Sequence, residues 1–296
     1  MKLPNYNLPK TLTEIINDKT NPPKPIIDNG VLLNGTILLI VGPAKSKKTF
    51  ITQNLALAIA FGDDFAGFTI PKPKKVLYFL AEGGYFPNRK RIKKMVKDID
   101  LKYSDNFMLS IFSYLSIDND EALEMMYKLI EEAKPDVLIL DPLIRFHDAD
   151  ENSASQVSQV FGRLRQLIED LGLSIILVHH TGKVESRGSR GSSAIIGEYD
   201  SRITLHSESN GNTRLSFDMR HVETPPSRII RFNPDNFWFS DRDEISELLA
   251  KSGGCLPKDE FITKYRKSKA TAYRHIDKSK ENGYIKESKK GVLELA

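Results

Sequence analysis

The residues best able to do chemistry stand together early in the chain. Gly42-Pro43-Ala44-Lys45-Ser46-Lys47-Lys48-Thr49 combines a glycine, three lysines and two hydroxyls, and Phe50 follows. An apolar run at 37–41 leads into this stretch, and a helical pattern at 51–61 leads out of it. Strand, loop and helix in that order aim backbone N–H groups and a helix N-terminus at anionic oxygens, the setting of a phosphate-binding loop. There Lys48 reaches the β and γ oxygens of a bound nucleotide, and Thr49 holds Mg²⁺. One position departs from the pattern. Lys47 stands where such loops usually have a second glycine, and its side chain either hinders close approach of the backbone or points outward.

Two carboxylates supply the rest of that chemistry. Val137-Leu138-Ile139-Leu140-Asp141 is an apolar run ending in an acid, and so is Val76-Leu77-Tyr78-Phe79-Leu80-Ala81-Glu82. Parallel sheets bind ligands at the carboxyl ends of their strands. Asp141 is therefore suited to orient water on Mg²⁺, and Glu82 to orient the water that attacks the γ-phosphorus. A strand-end acid alone commonly caps a helix or meets solvent. Three strands ending in a loop, a Glu and an Asp form a set. His147, Asp148, Asp150 and Glu151 also crowd one stretch; they read as a solvated acidic loop rather than a metal cluster.

The elements that must hold these groups follow from periodicity. Apolar β-rich runs at 37–41, 76–80, 137–140 and 174–179 alternate with amphipathic stretches of helical length, which predicts an α/β core with a mostly parallel sheet covered by helices. Shorter β-like runs at 201–206, 213–219 and 228–232 continue the sheet toward an antiparallel edge. The 296 residues divide into a polar, proline-bearing N-terminal arm (1–29, with a short helix at 11–17), a core (30–240) and a small C-terminal domain (241–296). Hydrophobic residues at 40% and charged residues at 28% are ordinary for a globular protein and exclude wholesale disorder. No apolar run approaches the roughly 18 residues of a membrane span, and the start lacks the apolar block of a secretory signal. Cys255 is the only cysteine, which excludes an internal disulfide and fits a reducing cytoplasm.

As a set, these residues resemble the RecA-like hexameric ATPases that include DnaB-type helicases, and most of all the RepA-type replicative helicases of plasmids and their phage-borne relatives. The likeness spans residues 30–235. Beyond the loop, Glu82 and Asp141, it rests on Leu143-Ile144-Arg145-Phe146-His147, on His179-His180 and on Arg190-Gly191-Ser192-Ser193. It implies a RecA-like P-loop fold, ATP with Mg²⁺, a homo-oligomeric ring of six, and single-stranded DNA in a central channel. Lys48 and Thr49 look like the family's phosphate and magnesium residues, Glu82 like its catalytic base and Asp141 like its second metal-site acid. Arg91 resembles the arginine that flanks the adenine; the other reading is a surface charge within Arg89-Lys90-Arg91. His180 resembles the γ-phosphate sensor, as against a neutral core histidine. Arg220 resembles an arginine finger presented to the neighbouring subunit's nucleotide, as against an exposed strand-end arginine. Segments 147–155 and 183–191 resemble the channel loops, the second carrying Lys183, Arg187 and Arg190 toward a phosphate backbone.

The tail differs in charge. Residues 257–296 hold 11 Lys and Arg against 6 Asp and Glu, an excess of five beside a net charge of +4 for the whole chain. Helical patterns at 244–251, 258–265 and 270–282, then two short β-like runs around Lys289-Lys290-Gly291, predict a winged helix-turn-helix; a small helical cap on the core is the alternative. Lys267, Lys269, Arg274, Lys278 and Lys280 surround the recognition helix and Lys289 and Lys290 occupy the wing, so duplex DNA is the expected partner. The whole reads as an ATP-driven, ring-forming nucleic-acid motor, a plasmid- or phage-type replicative DNA helicase with a DNA-binding tail. Two alternatives stand beside it: a DNA-dependent ATPase switch, loader or recombination factor without unwinding, and a non-catalytic DNA-binding regulator, which Lys47 favours.

Overall fold

The computed structural model describes residues 9–112, 115–180, 195, 197–209, 211–241, 244–265, 267–281, 284–288 and 290–295. An arm carrying α1 (Leu12–Asn17) leads to β1 (Ile37–Gly42), α2 (Lys48–Phe61), β2 (Val76–Leu80), α3 (Tyr85–Met95), β3 (Phe107–Ile111), α4 (Asp120–Ala133), β4 (Val137–Asp141), α5 (Ala154–Leu171) and β5 (Ser174–His180). β6 (Ser201–Ser207), β7 (Thr213–Met219), β8 (Arg228–Phe232) and β9 (Phe239–Ser240) complete the core. The tail holds α6 (Glu244–Lys251), β10 (Cys255–Pro257), α7 (Lys258–Lys264), α8 (Lys269–Glu281), β11 (Ile285–Glu287) and β12 (Val292–Leu295).

The nine core strands form one sheet in the order β3-β2-β4-β5-β1-β6-β7-β8-β9. Neighbours from β3 to β6 are parallel, and β6 to β9 run antiparallel. Because successive side chains point to opposite faces, each apolar strand feeds two cores. Leu38, Ile40, Tyr78, Ile139 and Ile176 pack with α2 on one face. Ile37, Leu39, Val41, Phe79, Leu138, Leu140 and Leu177 pack with α4 and α5 on the other. Helices on both faces of a mostly parallel sheet give a RecA-like P-loop core, and the sheet brings the carboxyl ends of β1, β2, β4 and β5 to one edge.

The N-terminal boundary moves. Ile26 and Ile27 are buried in the first of these cores, and Ile27 bridges Leu32, so the free arm stops short of 29 and the core begins at these two isoleucines. α1 starts with a capping box between Thr11 and Glu14 and buries nothing, leaving Leu12, Ile15 and Ile16 exposed. β3 escaped the sequence pattern because its five residues are only half-buried at the sheet edge.

In the tail, α6, α7 and α8 pack with a three-stranded antiparallel sheet, β10-β12-β11, around a separate core that includes Leu249, Phe261, Ile276 and Leu293. The sequence pattern showed two strands. The third, Cys255-Leu256-Pro257, ends in a proline, which argues against a strand in sequence. Among the described residues no helix is long and apolar enough to cross a membrane.

Candidate active site

β1 ends at Gly42, in register with His180 of β5. A Cβ on Gly42 would lie 2.9 Å from Ser46 Oγ and 3.0 Å from Leu205 Cβ, so the turn is built on the absence of a side chain. Lys45 and Lys47 then take φ of 64° and 62°, left-handed positions that curl successive N–H groups into the concave nest that anions occupy. Ser46 is buried inside it, and its Oγ has no hydrogen-bond partner among the described residues. An orphaned hydroxyl, a concave backbone and the N-terminus of α2 together fit a polyphosphate. Of the two readings of Lys47, the outward one holds: its ammonium sits 5.5 Å from the Phe232 ring centroid at the rim of the site.

Lys48 is 4% exposed, and its Nζ donates to Gly42 O at 2.8 Å and Pro43 O at 2.7 Å. Burial pushes this amine down to about 8, opposed by the nearby Asp141 and Glu82 carboxylates. Asp141, 2% exposed, accepts from Tyr78 Oη at 2.5 Å and from the Thr49 hydroxyl. Burial lifts its carboxyl to about 6, Glu82 pushes the same way, and the two hydrogen bonds and Lys48 work against the rise. A hydroxyl touching a carboxylate beside a phosphate nest suits a hard divalent cation, which takes oxygen ligands and keeps several waters. Among the described residues no cluster of three His, Cys, Asp or Glu could hold a metal; a magnesium ion shared with phosphates needs none.

Glu82 follows β2, with its carboxylate half-exposed and 3.6 Å from Arg145 Nε. Past the Gly83-Gly84 turn, α3 turns two polar residues inward: Asn88, 1% exposed, and Arg91. The Arg91 guanidinium lies 4.1 Å from the Phe50 ring centroid and donates to Gln53 Oε1 and Asn88 Oδ1, both at 3.3 Å. Arg91 is thus a half-buried wall of the site rather than a solvated surface charge. Lys45, Lys47, Lys48, Thr49, Phe50, Glu82, Gly83, Asn88, Arg91 and His180 line one cavity of about 350 Å³.

The two histidines part company. His180 lies in the cavity lining, its pKa lowered by burial and by Lys48 against the pull of Glu82. The core-histidine description belongs to His179, pushed to about 4 by burial with His180, His147 and Lys48 adding to it. His179 Nδ1 faces Glu151 Oε1 at 3.4 Å, and His147 Nε2 faces the same oxygen at 3.8 Å. The acidic loop is therefore not simply solvated. His147 turns inward, and Asp118 accepts from the backbone N–H groups of Asp148 and Ala149.

Arg220 follows β7 at the opposite end of the sheet. Its N–H donates to Asp200 O and its guanidinium to Gly197 O at 2.7 Å, beside the first residue of β1, where Asp200 accepts from Ile37 N. At about 3.3 Å per strand residue, the six residues of β1 separate it from Gly42 by roughly 17 Å. Lys183, Arg187 and Arg190 lie outside the described residues, as does Lys289. Lys267, Lys269, Arg274 and Lys290 are exposed. α8 buries Ala272, Ile276 and Ser279 on one face, and Lys278 lies on the same helix. Lys280 is engaged, 2.7 Å from Glu287 and 3.2 Å from Asp277, so it is no free phosphate contact. Sequence reasoning passed over Tyr78, Gln53 and Asn88. Tyr78 carried a faint signal, a hydroxyl inside a run that must be buried; the two amides carried none.

A family model described as "AAA domain" matches residues 3–186. Among solved structures, one ATPase domain aligns with a TM-score of 0.54 at 15% identity, covering 71% of this chain and 86% of that one. At that identity the likeness speaks for the fold. Because 651 solved chains match, the chemistry has to be argued from the site.

Proposed function

The chain belongs to the AAA domain family, and from that premise we propose that it hydrolyses ATP as a ring-forming motor on nucleic acid, a replicative DNA helicase of plasmid or phage type. One observation carries the reading: the phosphate nest, Thr49 and Glu82 line a single cavity, and buried Asp141 is hydrogen-bonded to the Thr49 side chain. Lys48 exchanges its two loop carbonyls for the β and γ oxygens. Thr49 and Asp141 would hold magnesium, which would supply charge neutralisation for the phosphates. Glu82, half-exposed and tethered only loosely to Arg145, orients a water toward the γ-phosphorus and takes its proton. His180, touching the same cavity, is placed to register the γ-phosphate. Arg91 and Phe50 form the wall for the base.

Arg220 cannot serve its own subunit from the far end of β1. By the family resemblance, a cation there would complete the site of another copy, in a head-to-tail assembly on which turnover depends. For the tail we take the helix–sheet arrangement as a winged helix-turn-helix that lays α8 against duplex DNA, with Lys267, Lys269, Arg274 and Lys290 meeting phosphates. Lys183, Arg187 and Arg190 complete the reading as contacts to single-stranded DNA in the channel. Phosphate release by the native chain and by Glu82→Gln, with and without single-stranded DNA, tests the chemistry: turnover in the first and loss of it in the second is expected. Strand displacement on a forked duplex tests the motor. Stimulated turnover without displacement would replace the helicase by a DNA-dependent switch, and no turnover in either chain would leave a regulator.

A further inference from the structure

Asn88 lies 1% exposed on α3, where packing alone would favour an apolar residue, yet its side chain makes four hydrogen bonds. Nδ2 donates to Glu82 O at 3.2 Å and to Gly84 O at 2.7 Å. Oδ1 accepts from Gln53 Nε2 at 3.2 Å and from Arg91 at 3.3 Å. Two donors and two acceptor positions are all that a primary amide can offer in this geometry, so the group is saturated. The segment it grips cannot hold itself. Gly83 and Gly84 take φ of 81° and 65°, glycines restrain their own backbone least, and Gly84 caps α3 with no side-chain bond. A Cβ on Gly83 would come within 3.0 Å of Asn88 Nδ2, so the turn is moulded onto this amide. Gln53, 0% exposed, carries the connection to α2, the helix that begins at Lys48, and its Oε1 binds Arg91 at 3.3 Å.

We propose that Asn88 is a positioning residue for hydrolysis: it clamps the glycine turn that carries Glu82 to the phosphate-loop helix through Gln53 and to the base-side wall through Arg91. The proposal rests on the hydrolytic reading above. Asn88→Asp keeps the size and the acceptor for Gln53 and Arg91, but turns an oxygen toward the Glu82 and Gly84 carbonyls and so releases the turn. Gln53→Met removes both amide bonds from α2, to Asn88 and to Arg91, leaves Asn88 on the turn, and serves where the first variant fails to fold.

The assay is phosphate release with ATP and Mg²⁺, beside ADP affinity by calorimetry and a melting curve for each full-length chain. For Asn88→Asp we expect kcat at least tenfold lower with ADP Kd within threefold of native, and for Gln53→Met a fall of about threefold with the same Kd. In the Glu82→Gln background, Asn88→Asp should lower single-turnover hydrolysis by less than twofold, because both changes act through one carboxylate; a general loosening of the fold would lower it again. Native kcat in both single variants, or equal losses with and without Glu82, overturns the proposal while leaving hydrolysis standing. Absence of phosphate release by the native chain overturns both.

Discussion

Replacing Lys47 by glycine should make the protein more stable. Lys47 holds φ 62° and ψ 25° as the cap of α2, with no side-chain capping bond. A side chain in that left-handed region costs about 1–2 kcal/mol that glycine does not pay. Against this stands the ammonium–ring contact with Phe232 at 5.5 Å, about 0.5 kcal/mol for an exposed pair. Glycine is also an acceptable helix cap, so nothing is lost there. The net gain is about 1 kcal/mol, which for a core of this size raises the melting temperature by about 2–4 °C. Thermal unfolding followed by circular dichroism at neutral pH, without nucleotide, reads it directly. Lys47→Ala is the control, since it keeps the strain and loses the ring contact, and should melt about 1–2 °C below native. A glycine variant that melts at or below native, or an alanine variant that matches it, would refute the strain argument.

Three further expectations concern other parts of the molecule. His179 titrates near 4 rather than its usual 6.5, a shift worth roughly 3 kcal/mol. The unfolded chain takes up the proton first, so this stability is whole above about pH 6.5 and drains away as pH falls toward 4; melting curves at pH 7.5 and 5 should diverge less for His179→Asn than for native, and parallel slopes would sink the assignment. Arg220→Ala should bind ATP normally yet hydrolyse about 10³-fold more slowly, and mixing it with Glu82→Gln should restore turnover, because each chain supplies the group that the other lacks. Unchanged rates in the mixture would place Arg220 outside the chemistry. Removing Lys269 and Arg274 together should flatten the salt dependence of duplex binding by about two in log–log slope and leave ATP turnover untouched; an unaltered slope moves the DNA surface elsewhere.

The parallel half of the fold was legible because burial on both faces demands unbroken apolar runs, and 37–41, 76–80, 137–140 and 174–179 are such runs. The strand-end positions of Gly42, Glu82 and Asp141 could be read for the same reason, whereas His180 was singled out by the family resemblance. What stayed hidden depends on contacts between distant segments. Asn88 and Gln53 are 35 positions apart and look like ordinary polar residues of two helices. Glu151 sits in an acidic stretch that reads as solvated until the turn at His147 brings it against His179. Ile26 and Ile27 follow a proline-bearing arm, and only the bridge to Leu32 shows that they are interior. The fate of the Lys47 side chain was open for a similar reason, since the Phe232 ring that receives it comes from β8.

The tail closes around apolar residues of its own, among them Phe261 and Ile276. A separate core is the physical condition for a unit to fold by itself and be exchanged as a module. On that footing one tail can give way to another while the nucleotide cavity of the core stays as it is, in the way one changes the label on a parcel and keeps the contents.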